Sequence, residues 1–135
     1  RAPIPWDAPP THGWATAEAW LPWPPEADTR NAEAFRADEG SILHLYRRLL
    51  AERRGSEALR VGDQELLTAP EGVLAWDREA GDDRRRLLVN FTDAAVDVEA
   101  LTRGWLVAVS TDGADEGGPA PTALAGDRAV VLRPA

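Results

Sequence analysis

The stretch Asp38-Glu39-Gly40-Ser41-Ile42-Leu43-His44-Leu45-Tyr46-Arg47-Arg48-Leu49-Leu50-Ala51-Glu52-Arg53-Arg54-Gly55 decides how the rest of the chain is read. At about 100° of rotation per residue, Ile42, Leu43, Leu45, Tyr46, Leu49 and Leu50 fall within one arc of roughly 160°. A surface helix needs an apolar stripe only about 100° wide. The spacing therefore predicts a helix over residues 38–54 that packs against two neighbours, one on each flank. Asp38 is the expected N-cap, its carboxylate accepting a free backbone N–H of the first turn. Glu39 suits the positive helix end and Arg53 and Arg54 the negative one, and Gly55 is expected to end the helix in the left-handed conformation. Arg53 lies inside the apolar arc, so its guanidinium is expected to reach a carboxylate rather than sit unpaired.

Upstream of this helix the chain has another character. Residues 1–35 hold four of the six Trp and seven of the eleven Pro. Proline at that density excludes helix and central strand, because each Pro removes a donor and fixes φ. Tryptophan at that density excludes a disordered composition. The combination predicts a long irregular segment lying on an apolar body through Trp6, Trp14, Trp20 and Trp23.

Downstream, six strand-like runs follow at short spacing, the pattern of an all-β sandwich. They are 61–68, 73–78, 87–91, 96–99, 105–109 and 129–132. Leu87-Leu88-Val89-Asn90-Phe91 is apolar almost throughout and reads as a central strand, whereas Val96-Asp97-Val98-Glu99 alternates between a dry and a wet face. Gly and Asp in residues 79–83 mark a turn between the second and third runs. Asp112-Gly113 and Gly117-Gly118-Pro119 make residues 113–123 the expected mobile loop. The fold class is thus mainly β, an antiparallel sandwich preceded by one helix and the Trp/Pro-rich lead.

Composition narrows the functions. A formal charge of −8 and a pI near 4.7 argue against nucleic acid, whose phosphates need a basic surface, and against an anionic membrane. No apolar run approaches the length of about 20 residues that spans a bilayer. With no cysteine there are no disulfides, thiolate nucleophiles or zinc–thiolate sites, which is compatible with a cytoplasmic location. All fifteen basic residues are Arg, which suggests a GC-rich bacterial gene, and the lack of Met suggests a fragment or processed product.

Arg1-Ala2-Pro3-Ile4-Pro5-Trp6-Asp7, Ala8-Pro9-Pro10 and Gly13-Trp14 resemble the Arg-x-Pro-x-x-Trp segment and following Gly-aromatic of α-glucosidases of glycoside hydrolase family 13, bacterial type. Ala19-Trp20-Leu21-Pro22 is similar to that family's Pro-Trp-Leu-Pro. Asp38, Ser41, Leu45, Tyr46, Arg47 and Leu49 match its helix motif, and Ala58-Leu59-Arg60, Gly62 and Leu88-Val89-Asn90-Phe91 continue the series. The chain departs at Ala2-Pro3-Ile4-Pro5, where the family often has Thr-Pro-Met-Gln, and at residues 23–28. These departures leave open whether the parent hydrolyses, transfers or isomerises glucosyl units.

The resemblance implies that residues 1–55 are the last loop and helix of a (β/α)8 catalytic barrel and residues 56–135 the C-terminal sandwich, domain C. The missing barrel would be the main partner, and an α-glucoside the substrate of the parent. It also implies a substrate-binding role for Arg1, whose guanidinium could bond a sugar hydroxyl or hold a carboxylate. A retaining glycosidase needs two carboxyl groups about 5–5.5 Å apart. The motifs that supply them in the family are absent here, so no catalytic residue is assigned and the chain alone is expected to be inactive. His12 and His44 support no nucleophilic triad; His44 lies on the polar side of the helix and is expected exposed. No metal-ligand spacing and no cofactor motif appear. Arg84-Arg85-Arg86, offset by Asp82 and Asp83, reads as a solvated hairpin end, and Asn90-Phe91-Thr92 is discounted as a glycosylation triplet because it falls in a predicted central strand. A freestanding carbohydrate-binding module and a module that self-associates through the exposed helix flank are the competing readings.

Overall fold

The computed structural model describes residues 1–16 and 18–135, which form two compact units, residues 1–47 and 48–135. The boundary falls inside the long helix.

In the first unit the lead has no strand among its described residues, as its prolines require. Its chain turns back on itself through Trp6 N–H to the His12 carbonyl (2.9 Å) and Trp14 N–H to Thr11 (3.0 Å). Contrary to the expected irregular segment up to Phe35, a short helix α1 (Ala32–Ala37) forms once the last proline of the lead, Pro25, is passed. Ala, Glu and Arg favour it, and Asn31 caps it by accepting from Ala34 N–H at 2.9 Å. The Pro5 and Trp6 carbonyls accept the Ala32 and Glu33 N–H groups at 3.0 and 2.9 Å. The helix start, which otherwise leaves donors unmet, thereby fastens the opening of the lead.

The helix α2 runs over Ile42–Gly55. It starts later than expected because Asp38 is used elsewhere: it is the C-cap of α1, and its Oδ1 accepts Gly40 N–H at 2.9 Å. Gly55 does not take the left-handed conformation. A second helix, α3 (Glu57–Val61), follows at once, so residue 61 is helical rather than the start of a strand. Ser56 Oγ accepts Leu59 N–H at 3.2 Å, while the Asp83 carboxylate takes Ser56 Oγ–H at 2.5 Å and Ala58 N–H at 2.9 Å. Two acceptors at one helix start outweigh the β-propensity of Val61.

The second unit carries β1 (Asp63–Leu66), β2 (Val73–Ala80), β3 (Asp83–Asn90), β4 (Val96–Asp97), helix α4 (Glu99–Thr102), β5 (Trp105–Ser110), β6 (Ala123–Leu124) and β7 (Ala129–Pro134). Five strands form one antiparallel sheet in the order β1-β2-β3-β7-β5, and β4 pairs with β6 in a smaller one. β3 is the central strand, as its apolar run predicts. The β2–β3 hairpin closes over Gly81 and Asp82. The fourth run is cut short: Asp97 Oδ1 accepts Glu99 N–H at 2.9 Å and turns the chain into α4. Its alternation holds, with Val98 buried beside exposed neighbours.

The five-stranded sheet is apolar on both faces. One face packs Ala75, Leu88, Val130, Leu132 and Val107 against Val98 and Leu124. On the other face Leu66, Trp76, Leu87 and Val131 stand in cross-strand register, where neighbouring side chains interact directly. Gly62 enters this sheet tightly. A Cβ there would lie 2.5 Å from the Glu79 carbonyl oxygen and 2.6 Å from that of Ala58, so only glycine fits.

Residues 113–123, expected as a mobile loop, are held by several bonds. Arg128, almost fully buried, contacts Asp112 and Asp115 at 3.1 Å and the Ala114 carbonyl at 2.9 Å. Glu116 Oε1 accepts from Ser110 N–H at 3.0 Å and Arg48 Nε–H at 3.1 Å.

Candidate functional site

The first unit folds its lead around an open groove of about 670 Å³ lined by Arg1, Ile4, Trp6, Trp14, Trp20 and Leu21, among others. Gly13 turns the chain here with φ +78°, and a Cβ on it would come within 2.8 Å of Trp6 Cβ. That turn places Trp14, whose indole N–H donates to the Ile4 carbonyl at 2.8 Å. Trp20 is 86% exposed, and Trp6 and Trp14 are each about half exposed. Trp23 is half-buried with its ring centroid 4.5 Å from that of His12. Arg1 is exposed at the groove's edge. Indole faces beside a guanidinium and the Glu18 carboxylate can offer stacking and hydrogen bonds to a polar ring compound.

Among the described residues no group of three or more His, Asp or Glu could hold a metal. His12 is buried, with Nδ1 3.1 Å from the Asp7 carbonyl and Nε2 3.4 Å from the Asp28 carboxylate. His44 is half-buried rather than exposed, because its Nε2 meets the Arg36 carbonyl at 3.1 Å.

The strongest electrostatics lie in the second unit and were not legible as such. Asp77, 3% exposed, receives Arg86 through Nε at 2.7 Å and through a terminal nitrogen at 2.8 Å, and Arg84 at 2.6 Å. Burial alone would raise its pKa, but the hydrogen bonds and charges of Arg86 and Arg84 outweigh that and hold it below the usual carboxylate value. The bond to Asp77 conversely raises Arg84. Both guanidinium groups lie over the Trp105 ring, Arg86 at 4.6 Å and Arg84 at 5.7 Å. Asp83 is likewise lowered against the pull of burial, by Ser56, the Ala58 N–H and Arg85. Arg85 also donates to Glu52 at 2.6 Å.

The Arg84–Arg86 run is therefore not a solvated hairpin end. Strand alternation sends Arg84 and Arg86 to Asp77 on one face and Arg85 to Asp83 and Glu52 on the other. The expectation for Arg53 also fails: it is exposed and forms no ion pair among the described residues. Its neighbour Glu52 and, one turn earlier, Arg48 are residues of this helix that find opposite charges, Arg85 and Glu116. Asn90, only 1% exposed, has its amide within 3.0 Å of the Ala94, Leu124 and Ala125 carbonyls. Its Oδ1 accepts from Thr92 N–H and Oγ–H. The Asn of the Asn-x-Thr triplet is thus a buried clamp, and its side chain is not free for modification.

On α2 the residues Ile42, Tyr46 and Leu50, spaced by four, are 52%, 60% and 46% exposed. Leu45 and Leu49 are half-buried. One flank of the apolar arc is therefore covered and the other open. Among the described residues no helix is long and apolar enough to cross a membrane.

The five-stranded antiparallel sheet with its two-stranded companion matches the domain C β-sandwich of glycoside hydrolase family 13 enzymes. Solved structures with the same fold include the trehalulose synthase of Pseudomonas mesoacidophila MX-45, with TM-score 0.83 and 21% identity over 98% of this chain and 25% of that one. The isomaltulose synthase of Klebsiella sp. LX3 gives TM-score 0.81 and 24% identity over 98% of this chain and 24% of that one. The chain belongs to glycoside hydrolase family 13 as a homologue of its α-glucosidases and oligo-1,6-glucosidases. It is 32% identical over 99 residues to a protein named "Probable alpha-glucosidase" of Rhizobium meliloti (strain 1021), a match covering 73% of this chain and 18% of that protein. To a glucan 1,6-α-glucosidase of Streptococcus pneumoniae it is 29% identical over 109 residues, covering 79% of this chain and 20% of that protein. The chain thus spans about a fifth of the length of the curated relatives it matches. No family model matches it.

Proposed function

We propose that this chain is the C-terminal portion of an α-glucosidase that hydrolyses α-glucosidic bonds of oligosaccharides in the cytoplasm. In this reading it supports the catalytic barrel without contributing the catalytic acids. Residues 1–55 complete the barrel, residues 56–135 form domain C, and Arg1 binds substrate at the edge of the Trp groove. The observation that carries the reading is the open flank of α2. Three large apolar side chains in a row on an otherwise charged helix have the pattern of a face shaped for a further body. The similarity to glucosidases supports the choice of body and, with it, an α-glucoside as substrate. The acidic charge of the chain argues against nucleic acid and an anionic membrane as partners.

The test compares two polypeptides. The 135-residue chain is expected to release no glucose from maltose or isomaltose, whereas the product of the complete reading frame is expected to do so. Turnover by the clean chain would refute the proposal. Product analysis on sucrose separates hydrolysis from isomerisation or transfer.

The exposed tryptophans favour a second reading, a carbohydrate-binding module. It predicts a fluorescence change when the chain is titrated with maltooligosaccharide, and a flat titration removes it. A self-associating module predicts a dimer in sedimentation through the Ile42, Tyr46 and Leu50 flank, and a monomer at high concentration removes that one.

A further inference from the structure

The two edges of the five-stranded sheet carry different protection. One edge is β1, where Asp63 and Glu65 put charge on an exposed rim. Charge of this kind keeps a bare edge from pairing with other chains. At the opposite edge β5 reads Trp105-Leu106-Val107-Ala108-Val109-Ser110, six residues without charge, proline or glycine. That is the composition of a segment that pairs readily with further strands once its edge is bare.

The chain itself covers that edge. After Ser110 it turns through Gly113, Asp115 and Gly117, all at positive φ, and comes back along β5. Val107 N–H donates to the Gly118 carbonyl at 2.9 Å, Gly117 N–H to the Val107 carbonyl at 2.8 Å, and Ala120 N–H to the Trp105 carbonyl at 2.9 Å. Residues 116–120 thus form a strap, and Val107 gives both of its backbone groups to it. The strap is itself a poor template for further pairing, because Gly117 and Gly118 weaken a strand and Pro119 has no N–H. Its side-chain hold is Glu116, whose Oε1 accepts Ser110 N–H at 3.0 Å and Arg48 Nε–H at 3.1 Å. Arg128 fastens the preceding turn, at Asp112, Ala114 and Asp115, but not the strap.

We infer that residues 116–120 are a guard strap latched by Glu116, and that its release frees β5 to pair with β5 of a second copy of this chain. The second copy fits because the edge is self-complementary. In an antiparallel pair with its two-fold axis at Val107, each Val107 donates its N–H to the other and accepts in return, which restores both bonds the strap had supplied. Neither strand brings a charge to that contact. The acidic β1 rim lies four strand spacings away, about 19 Å, and salt screens it at that distance.

The test compares the 135-residue chain with Glu116→Ala, both carrying Tyr46→Glu so that the open flank of α2 adds nothing to association. Amide hydrogen exchange, read by NMR, is expected to quicken about ten-fold or more at Val107, Gly117 and Ala120 in Glu116→Ala, the factor lost with one charge-assisted bond. The Leu88 amide, in the central strand, should keep its protection, which shows that the opening is local. Sedimentation at rising concentration should give a monomer for the parent and a dimer for Glu116→Ala. Adding Leu106→Lys, which charges β5, should return the monomer. Glu116→Gln keeps an acceptor for Ser110 N–H and loses the charge facing Arg48, so it should fall between the two; it supplies the readout if Glu116→Ala costs Leu88 its protection. Unchanged exchange at the three strap amides in a folded variant would overturn the latch. Faster exchange with a strict monomer, or a dimer that Leu106→Lys leaves intact, would overturn the pairing with a second copy.

Discussion

Replacing Asp77 by Asn is the sharpest test of how the second unit is held. The Asp77 side chain is 4% exposed and takes three hydrogen bonds from Arg84 and Arg86, and the Arg86 side chain is itself only 14% exposed. The substitution leaves Arg86 in a nearly dry site with its carbonyl bond to Leu101 and the Trp105 face, but no opposite charge. Breaking a buried pair in this way costs about 3–5 kcal/mol. That is a large part of a total stability of about 5–15 kcal/mol. With a urea slope of about 2 kcal/mol per molar, the unfolding midpoint should fall by about 2 M. The measurement is urea unfolding at pH 7, followed by far-ultraviolet circular dichroism. Replacing Asp77, Arg84 and Arg86 together by Leu should recover much of the loss, because apolar packing then substitutes for the cluster. A midpoint shift below about 0.5 M for Asp77→Asn would show that the cluster is solvated and that its buried electrostatics are misread.

Acid should find the same cluster. Because Asp77, Asp83 and Asp112 have lowered folded pKa values, their stabilisation is complete above the unfolded carboxyl value of about 3.9 and lost as pH falls through the folded values. Urea midpoints measured from pH 7 down to pH 2.5 should drop steeply below about pH 4, and less steeply in Asp77→Asn. Asn90→Ala should cost about 2 kcal/mol or more, read from thermal melts, because it strands buried carbonyls at about 1–3 kcal/mol apiece. Gly62→Ala should destabilise the unit strongly through its clash with two backbone oxygens, and a melting temperature equal to the parent's would contradict the tight entry of β1. Gly13→Ala should disorder the Trp groove, seen as a red-shifted tryptophan emission, while the amide exchange of Leu88 stays unchanged.

The parts of the fold legible in the sequence are those fixed by local pattern. Residues 87–91 could be placed at the sheet centre because an apolar run without alternation needs cover on both faces. Residues 42–54 could be read as helical from a single period. What the sequence hid depends on partners distant along the chain. Residues 57–61 became helical only because Asp83 reaches back to cap them, and Asp38 was drawn away from α2 by the end of α1. Arg84-Arg85-Arg86 looked like surface because its acids, Asp77 and Glu52, sit on a neighbouring strand and helix. Strand alternation against Asp77, applied to that triplet, is the signal that would have revealed it. For the site, Arg1 and the four tryptophans were visible as a cluster of residue types, but the turn at Gly13 that gathers Trp6 and Trp14 was not.

β7 lies between β3 and β5, although β5 precedes it in the chain. The sheet therefore cannot close progressively during synthesis. The β1–β2–β3 ribbon and β5 must wait as separate pieces, each with a bare rim, until the strand that bridges them leaves the ribosome. A nascent chain stalled before residue 129 would offer two unsatisfied edges to other polypeptides, which makes this interval the point where chaperone capture or misassociation is most consequential.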